Sequence, residues 1–572
     1  MRYVALVCDY DGTLAKDGAV PASTVEALKR VARSGRKLLI ATGRQLDDLL
    51  RVFPEAKMFD RLIVENGAVV YRPAQQSERV LASKPPDTFV ETLKRRGVGS
   101  IGVGKCIVAT WRPNETKVLR AIRESGLDLQ VIFNKNAVMI LPSSVNKASG
   151  LAVALHELGL SQHNVVGVGD AENDHVFLKV CECSVAVSNA LPALKERADL
   201  VTRADHGAGV EELIEQLLRD DLASMEPRLM RHRVRLGRTG TGAGFAIDPY
   251  DSRLLIAGPS GSGKSTTVAA LIERLTDSNY QVCLIDPEGD YDEFEPFVTI
   301  GGEDRIPATS EVLEILRNPE SSMSVNLLGV PIADRPSFFL ALLPRLQEMR
   351  ARTGRPHWIV IDEAHHLLPA DLESARQTIP RELASFALIT VHPDRISSSV
   401  LSQVNGILAI GPNPGEVIQQ FNSGSGMELK SAIPAASSRE PGRVLGWMFG
   451  ESPEPVAFEL EPAKVELRRH RRKYAAGELG KDKSFYFRGP AGKLNLRAQN
   501  MKVFVQLACG VDDDTWLYHL QQSDYSRWLR DFVKDAALAE EVAAVEKESS
   551  LPAEESRTRV IAAMEKHYSA PS

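Results

Sequence analysis

Cysteine is scarce, with six residues in a chain of 572, too few and too scattered to staple a disulfide framework of the secreted kind. Cys8, Cys106, Cys283 and Cys509 each lie in an apolar run, where a buried thiol behaves as a small hydrophobe. Cys181 and Cys183 form a CxC pair without a second Cys/His pair nearby, which argues against a metal or redox role for that pair. Long apolar runs are missing too. No stretch approaches 18 apolar residues, which speaks against a membrane span. The opening MRYVALVCDYDG turns acidic at once and lacks the charged-then-apolar order of a secretory signal, so a cytoplasmic protein is expected. There is no excess of positive charge. A net charge of −6 gives no whole-chain reason to bind nucleic acid or an anionic membrane, although a local basic surface stays open. Internal repeats are absent, which excludes a solenoid.

What is present is an ordinary folding composition, 43% hydrophobic and 25% charged. At about 150 residues per domain, the length implies three or four domains. Up to about residue 219, short apolar runs ending in polar loops (VALVCDYDG, KLLIATGR, RLIVENGAVVY, NVVGVGDAEND) alternate with helical patterns such as STVEALKRVARSG, read as a helix with a Ser cap and a Gly stop. That alternation predicts a parallel, doubly wound sheet with functional loops at the strands' C-terminal ends. From about 84 to 142 the rhythm changes to helix, two strands, helix and two strands, a small α+β insert suited to covering a site. An Arg- and Gly-rich stretch at 219–245 reads as a linker leading into a β-hairpin. A second α/β run follows to about 462, and then a basic segment and helix-forming sequence to the end.

The first constellation begins with DYDGT, which puts Asp9 and Asp11 on one loop after a strand, with Gly12 permitting a tight turn. Thr42 ends a second apolar strand in LLIATGR. Lys147 opens a helix in NKASGL, and GDAEND supplies Asp170, Asn173 and Asp174 after a third strand. In this order the four motifs resemble those of the haloacid dehalogenase superfamily. The ENGA element (Glu65 to Ala68) and the position of the insert are similar to its Cof-type branch, which includes sucrose-phosphatase-like and phosphoglycolate-phosphatase-like enzymes. The resemblance covers residues 1–217. It implies Mg²⁺ held by Asp9, Asp170 and the backbone carbonyl of Asp11, with Asp174 supporting them. It also implies Asp9 as a nucleophile giving an aspartyl-phosphate, Asp11 as general acid and base, Lys147 neutralising a phosphoryl oxygen and Thr42 donating to the phosphate. Arg44 and Asn66 either contact phosphate or satisfy loop backbone. The short insert carries no readable motif, so the substrate stays a phosphorylated small molecule of unstated identity.

The second constellation is GPSGSGKS, residues 258–265, between an apolar run and a helical pattern. Gly258, Gly261 and Gly263 leave backbone N–H groups free to cradle phosphates of ATP, Lys264 reaches the β and γ oxygens, Ser265 ligates Mg²⁺, and Thr266 follows in the same turn. HWIVIDEAHHLLP ends a strand in Asp362, a partner for Mg²⁺ through water, and Glu363, placed to polarise attacking water. FALITVHPD ends another strand near Thr390 and His392, positions suited to sensing the γ-phosphate. No LSGGQ-like signature accompanies the loop, which argues against an ABC transporter ATPase. DEAH is shared with one helicase group, whose later Arg-rich motifs are missing. With LIDPEGDY and the later ISSSVLSQVNGILAIG, the set resembles the HerA/FtsK class over about 230–460. That resemblance implies an ATP-hydrolysing motor, a homo-oligomeric ring and an arginine finger, for which Arg381 and Arg395 are candidates. Gln is common in that class where His392 stands here, and the class's own N-terminal barrel is displaced by the first domain.

Near the end, RRHRRK at 468–473 with Phe485, Tyr486, Phe487 and Arg488 reads either as a nucleic-acid contact or as a solvated linker before an ordinary strand. Trp516, Tyr518, Leu520, Trp528 and Leu529 are expected as core, with His519 packed rather than catalytic. The expected fold is thus α/β: two doubly wound, Rossmann-like domains, the first with an α+β cap, plus a mainly helical C-terminal module. The divisions are a phosphatase core at 1–83 and 143–218, the cap at 84–142, a linker at 219–245, the P-loop domain at 246–462 and the final module at 463–572. A bifunctional Mg²⁺-dependent phosphomonoesterase and ATPase is the favoured reading. A nucleic-acid motor with an end-trimming phosphatase, and an ATP-driven switch whose first domain only binds a ligand, are the alternatives. No membrane partner is expected.

Overall fold

The computed structural model describes residues 1–134, 136–224, 231–292, 294, 297–370, 385–427, 442–464, 484–533, 535–548 and 551–568. They fall into two compact units, Met1–Gly289 with Glu295–Ala463, and Asp290–Phe294 with Lys464–Ser572. Arg381 and the basic cluster at 468–473 lie outside the described residues.

The first unit holds two large sheets. One runs through β1 (Ala5–Cys8), β2 (Lys37–Ala41), β3 (Arg61–Val64), β4 (Val69–Arg72) and β5 (Ser77–Val80). Its other half comes later in the chain, after β6 (Gly102–Val103), β7 (Val108–Trp111), β8 (Leu129–Asn134) and β9 (Ala137–Pro142), as β10 (Val165–Gly169), β11 (Cys183–Ala186) and β12 (Leu200–Val201). The spatial order is β12-β11-β10-β1-β2-β3-β4-β5. The six strands from β12 to β3 are parallel, and β4 and β5 turn back antiparallel. Strands buried on both faces explain the unbroken apolar runs of the sequence: β1 and β10 are buried throughout. The chain leaves β1 in one direction to β2 and β3 and returns on its other side at β10. The β1/β10 seam is therefore a topological switch point, where a crevice opens at the strands' carboxyl ends.

Strands β6 to β9 form a separate antiparallel sheet, ordered β6-β7-β9-β8, with helices Asp87–Arg95 and Glu115–Ser125 packed around Phe89, Leu93, Val108, Val118 and Ile140. Glu65 ties this insert to the core. Its Oε1 accepts the Lys105 N–H at 2.9 Å, and its Oε2 accepts those of Cys106 and Ile107 at 2.8 and 3.1 Å.

The helix after β1 spans Ala22–Arg33, and its N-cap is Pro21 rather than a serine. Ser23 lies inside the first turn, and its hydroxyl donates to Glu211 instead. Helix Lys147–Leu158 is held at both ends. At its foot Asn146 accepts the N–H groups of Ala148 and Ser149 while Ser149 Oγ accepts that of Asn146, a reciprocal cap that fixes Lys147 as the first helical residue. Near its C-terminus Glu157 accepts from Arg61 Nε at 3.0 Å and Arg72 Nε at 2.9 Å. The Arg72 hydrogen bond, then that of Arg61, pull its carboxyl down to about 2 despite burial. A depressed acid stabilises the fold above its free value near 4.3 and loses that contribution as pH falls toward 2. Allowing for solvent screening, Glu157→Gln should cost about 1–2 kcal/mol at pH 7 and almost nothing at pH 2, read from urea midpoints.

The second sheet contains β13 (Val234–Thr239), β14 (Gly244–Ile247), β15 (Arg253–Ala257), β16 (Val282–Asp286), β17 (Phe297–Gly301), β18 (Ser322–Asn326), β19 (Trp358–Ile361), β20 (Phe386–Thr390), β21 (Gly406–Ile410), β22 (Arg443–Met448) and β23 (Val456–Leu460). Their order is β14-β13-β23-β22-β21-β15-β20-β19-β16-β18-β17. The seven strands from β21 to β17 are parallel, and the other four are antiparallel. The β13–β14 hairpin is the lead-in read from the Gly-rich stretch.

In the second unit β24 (Phe485–Phe487) and β25 (Leu496–Ala498) form a ribbon beside helices Met501–Gly510, Asp513–Gln521, Asp524–Trp528, Ala536–Lys547 and Ala553–Tyr568. Trp516, Leu520, Trp528 and Leu529 are core, but Tyr518 is 38% exposed. Helix geometry explains the difference: residues 516 and 520 share a face and 518 turns away from it. Cys509 is likewise exposed, because its helix buries Met501, Phe504 and Ala508 one position off its own face. His519 is packed. Its Nε2 accepts the Arg488 N–H at 3.0 Å, so Nδ1 carries the proton toward Asp524 Oδ2 at 2.8 Å. Among the described residues no helix is long and apolar enough to cross a membrane.

Candidate active site

Asp9 follows β1 and Asp170 follows β10, so the switch point sets the two carboxylates side by side. Asp9, Asp170 and Asp174 offer oxygens within 4.8 Å of one another, and all three are buried. Lys147 reaches into this group from its capped helix, with Nζ 2.6 Å from Asp9 Oδ1 and 2.6 Å from Asp174 Oδ1. The other Asp174 oxygen accepts the N–H groups of Asp170 and Ala171, both at 2.9 Å, which fixes the loop.

Carboxylates buried this close together oppose one another's ionisation, and the Lys147 ammonium offsets part of that cost. Burial, Asp174 and Asp170 push the Asp9 carboxyl well up, against the pull of Lys147. Burial works against the Lys147 charge, yet Asp174 and Asp9 more than offset it and hold the ammonium protonated. An all-oxygen pocket lined by three carboxylates fits a hard divalent cation such as Mg²⁺.

The approach of the lysine helix depends on a glycine. Gly67 has φ +99°, and a Cβ there would lie 1.9 Å from the Asn146 carbonyl oxygen. This close contact between the ENG turn and the foot of the helix brings Lys147 over Asp9.

Thr42 directly follows β2, is buried, and its Oγ1 accepts the Arg44 N–H at 3.2 Å, leaving its hydroxyl proton for another acceptor. Asp11 stands apart from the carboxylate group. Arg44 grips it with both prongs, Nε to Oδ2 and Nη2 to Oδ1 at 2.7 Å each, and also pairs with Asp48. This carboxylate pairing is additional to the two roles expected of Arg44, phosphate contact and loop backbone. Asn66 accepts from Asn173 Nδ2 at 3.0 Å and donates to Met139 Sδ at 2.8 Å, linking the loop after β10 to the cap sheet. Sequence reasoning missed Thr13, whose Oγ1 donates to Asp170 Oδ1 at 3.2 Å. Its place in DYDGT was the available signal.

Residues 6–103 and 102–214 match the family model for haloacid dehalogenase-like hydrolases. A phosphoglycolate phosphatase from Methanopyrus kandleri is 30% identical over 229 residues, covering 38% of this chain and 97% of that protein. The chain belongs to the haloacid dehalogenase-like hydrolases. A phosphoglycolate phosphatase from Methanothermobacter thermautotrophicus is 29% identical over 222 residues, 37% of this chain and 98% of its own. A solved haloacid dehalogenase-like hydrolase from Bacteroides thetaiotaomicron is 20% identical with a TM-score of 0.34, covering 38% of this chain and 99% of that one. Residues 234–338 match the central domain of helicase HerA. This hydrolase is therefore joined to a HerA-type ATPase domain.

The P-loop lies between β15 and helix Lys264–Asp277, whose N-cap is Gly263 at φ +103°, a conformation open to glycine. Gly258 and Gly261 lie in the same loop. Lys264 folds back, donating to the carbonyls of Gly258 at 2.8 Å and Pro259 at 2.9 Å, which leaves a strong donor at the loop's centre. Ser265 is half-buried and Thr266 exposed in the first turn. Asp362 follows β19, and β20 lies between β19 and β15, so Thr390 sits between the loop and Asp362. Glu363 is buried with φ +41°, a strained conformation for a residue with a side chain. His365 was not anticipated. Burial, then His366 and His392 beside it, push its imidazole down to about 4, and its Nδ1 lies 3.1 Å from Thr390 Oγ1 and 3.5 Å from Glu363 Oε2. His365 thus hydrogen-bonds the expected sensor Thr390 and lies beside the expected water-polarising carboxylate. Arg395 closes the short turn after His392.

Proposed function

We propose that the first domain hydrolyses a small phosphomonoester through an aspartyl-phosphate on Asp9, and that the second binds and hydrolyses ATP, so that one chain carries two phosphate-handling sites. The observation that carries this reading is the convergence of Asp9, Lys147, Asp170 and Asp174. Asp9 offers its second oxygen for attack while Lys147 restrains the first and neutralises a phosphoryl oxygen. Thr42 donates to the same phosphate. Asp11 swings off Arg44 to protonate the leaving oxygen, then takes a proton from the water that cleaves the acyl-phosphate. Mg²⁺ would be held by Asp9, Asp170 and the Asp11 carbonyl, with Asp174 orienting that shell, and would supply charge neutralisation.

In the second domain Lys264 and the loop amides would cradle the triphosphate of ATP. Ser265 and Asp362 would hold its Mg²⁺, and Glu363, oriented through His365, would polarise water. The phosphoglycolate phosphatases among the relatives make 2-phosphoglycolate the first substrate to test. Phosphate release from it should exceed that from sugar phosphates, nucleotides and phosphorylated oligonucleotides, with and without ATP, and should stop with EDTA. Release from none of them would defeat the reading. A second reading, a nucleic-acid motor with an end-trimming phosphatase, draws on the HerA match. It requires ATP turnover that rises with DNA or RNA and release from phosphorylated ends.

A further inference from the structure

Within the first unit, three chain segments meet away from both sites described above. His163 lies in the turn before β10, Glu182 just before β11, and His232 two residues before β13, where the chain enters the ATPase domain. His163 Nδ1 is 2.7 Å from Glu182 Oε2, His232 Nε2 is 3.6 Å from the same oxygen, and all three atoms lie within 4.8 Å of one another. His163 and Glu182 are almost wholly buried.

The hydrogen-bond inventory of this cluster does not close on protein atoms. His163 Nε2 lies 2.6 Å from the Ser278 carbonyl, an acceptor only, so that nitrogen carries the proton. In a neutral ring Nδ1 then faces the carboxylate oxygen lone pair to lone pair, a contact relieved either by a second ring proton or by a metal cation. A proton on Nδ1 would satisfy that pair alone. His232 Nε2 is also shielded from solvent and has no hydrogen-bond partner. One cation ligated by all three atoms satisfies all three. The surroundings suit it. Ser278 supplies the carbonyl that orients a metal-ligating histidine through its second nitrogen. Arg2 takes the other Glu182 oxygen at 3.2 Å, leaving Oε2 as a single-point ligand, and the Tyr280 hydroxyl is 3.3 Å from Oε2. Two imidazole nitrogens and one carboxylate oxygen favour Zn²⁺ over Mg²⁺.

We infer that His163, Glu182 and His232 form a zinc-type metal site that pins the start of the ATPase domain to the phosphatase sheet. The site explains why Glu182 is buried at this junction, where Tyr280 stacks on His163 at 3.8 Å and Tyr250 donates to the His163 carbonyl.

The test uses the full, tag-free chain carrying Asp170→Asn, so that the phosphatase carboxylates compete less for metal. After EDTA stripping, removal of the chelator, addition of excess Zn²⁺ and dialysis into metal-free buffer, one equivalent of Zn²⁺ per chain should be retained, read by mass spectrometry of the metal. Co²⁺ should give visible d–d bands of a nitrogen- and oxygen-ligated ion. His232 is at the edge of the cluster, so His232→Ala is the variant expected to keep its fold, checked by circular dichroism. It should lose zinc affinity by about 100-fold or more, along with the Co²⁺ bands and the rise in Tm on zinc addition. Background zinc in the parent chain overturns the site, as does retention by folded His232→Ala equal to the parent. Either result leaves His163 and Glu182 as a hydrogen-bonded pair.

Discussion

Asp9→Asn is expected to lower phosphate release by roughly 10⁴- to 10⁶-fold while leaving ATP turnover within a factor of about two. The substitution keeps size and hydrogen bonding near Lys147 but removes the nucleophile, and no other side chain in the cluster replaces it. Asp174 has both oxygens engaged, one by Lys147 and one by two backbone N–H groups. Asp170 accepts from Thr13 and stands at the end of a different strand. The complementary variant is Lys264→Ala, which should lower ATP turnover by about 10²- to 10³-fold with phosphatase activity retained. Two independent losses would establish two separate sites. Loss of both activities in Lys264→Ala would instead mean that the phosphatase depends on the nucleotide state. If phosphatase activity survives Asp9→Asn, the aspartyl-phosphate route is wrong.

The parts of this molecule that were legible in the sequence share one property: their signal is local. Asp9, Thr42, Asp170 and Asp362 each follow an apolar run, and a strand buried on both faces makes such a run unmistakable. The phosphate loop carries its own strand and helix. What was hidden depends on residues far apart in the chain. Arg44 grips Asp11 across 33 positions, Glu65 holds the cap across about 40, and Asn66 reaches Met139 across 73. Such pairings leave no periodicity behind. The insertion of β20 between β15 and β19 is also invisible in a linear reading, yet it is what carries Thr390 to His365, two residues beyond Glu363. Where local reading failed, as at Tyr518 and Cys509, the apolar character was right and the helical face was wrong.

Lys147→Met should separate the electrostatic from the packing contribution of the same site. Methionine nearly matches the volume, so the change is the loss of one buried positive charge. In wild type that charge sits 2.6 Å from two carboxylates. Without it, Asp9 and Asp174 lose the buried ammonium that joins them, at a cost of about 3–5 kcal/mol. For a domain of this size the corresponding fall in Tm is about 10 °C. The sign of the pH dependence follows from the carboxyls. The folded pKa of Asp9 is raised above the free value near 3.9 and rises further when Lys147 is absent, so the fold is penalised most where that carboxyl is ionised. The gap between wild type and variant should therefore be widest near pH 8 and narrow as acidification protonates the cluster. Mg²⁺ should narrow it as well, because a divalent cation replaces the missing charge. Calorimetry at pH 8 and pH 5.5, with and without Mg²⁺, reads both effects. A gap that ignores pH and Mg²⁺ would make Lys147 a packing residue and remove the electrostatic basis of the site. Turnover should stay depressed even in Mg²⁺, by about 10²-fold or more, since the ammonium is also needed on the phosphoryl oxygen as Asp9 attacks.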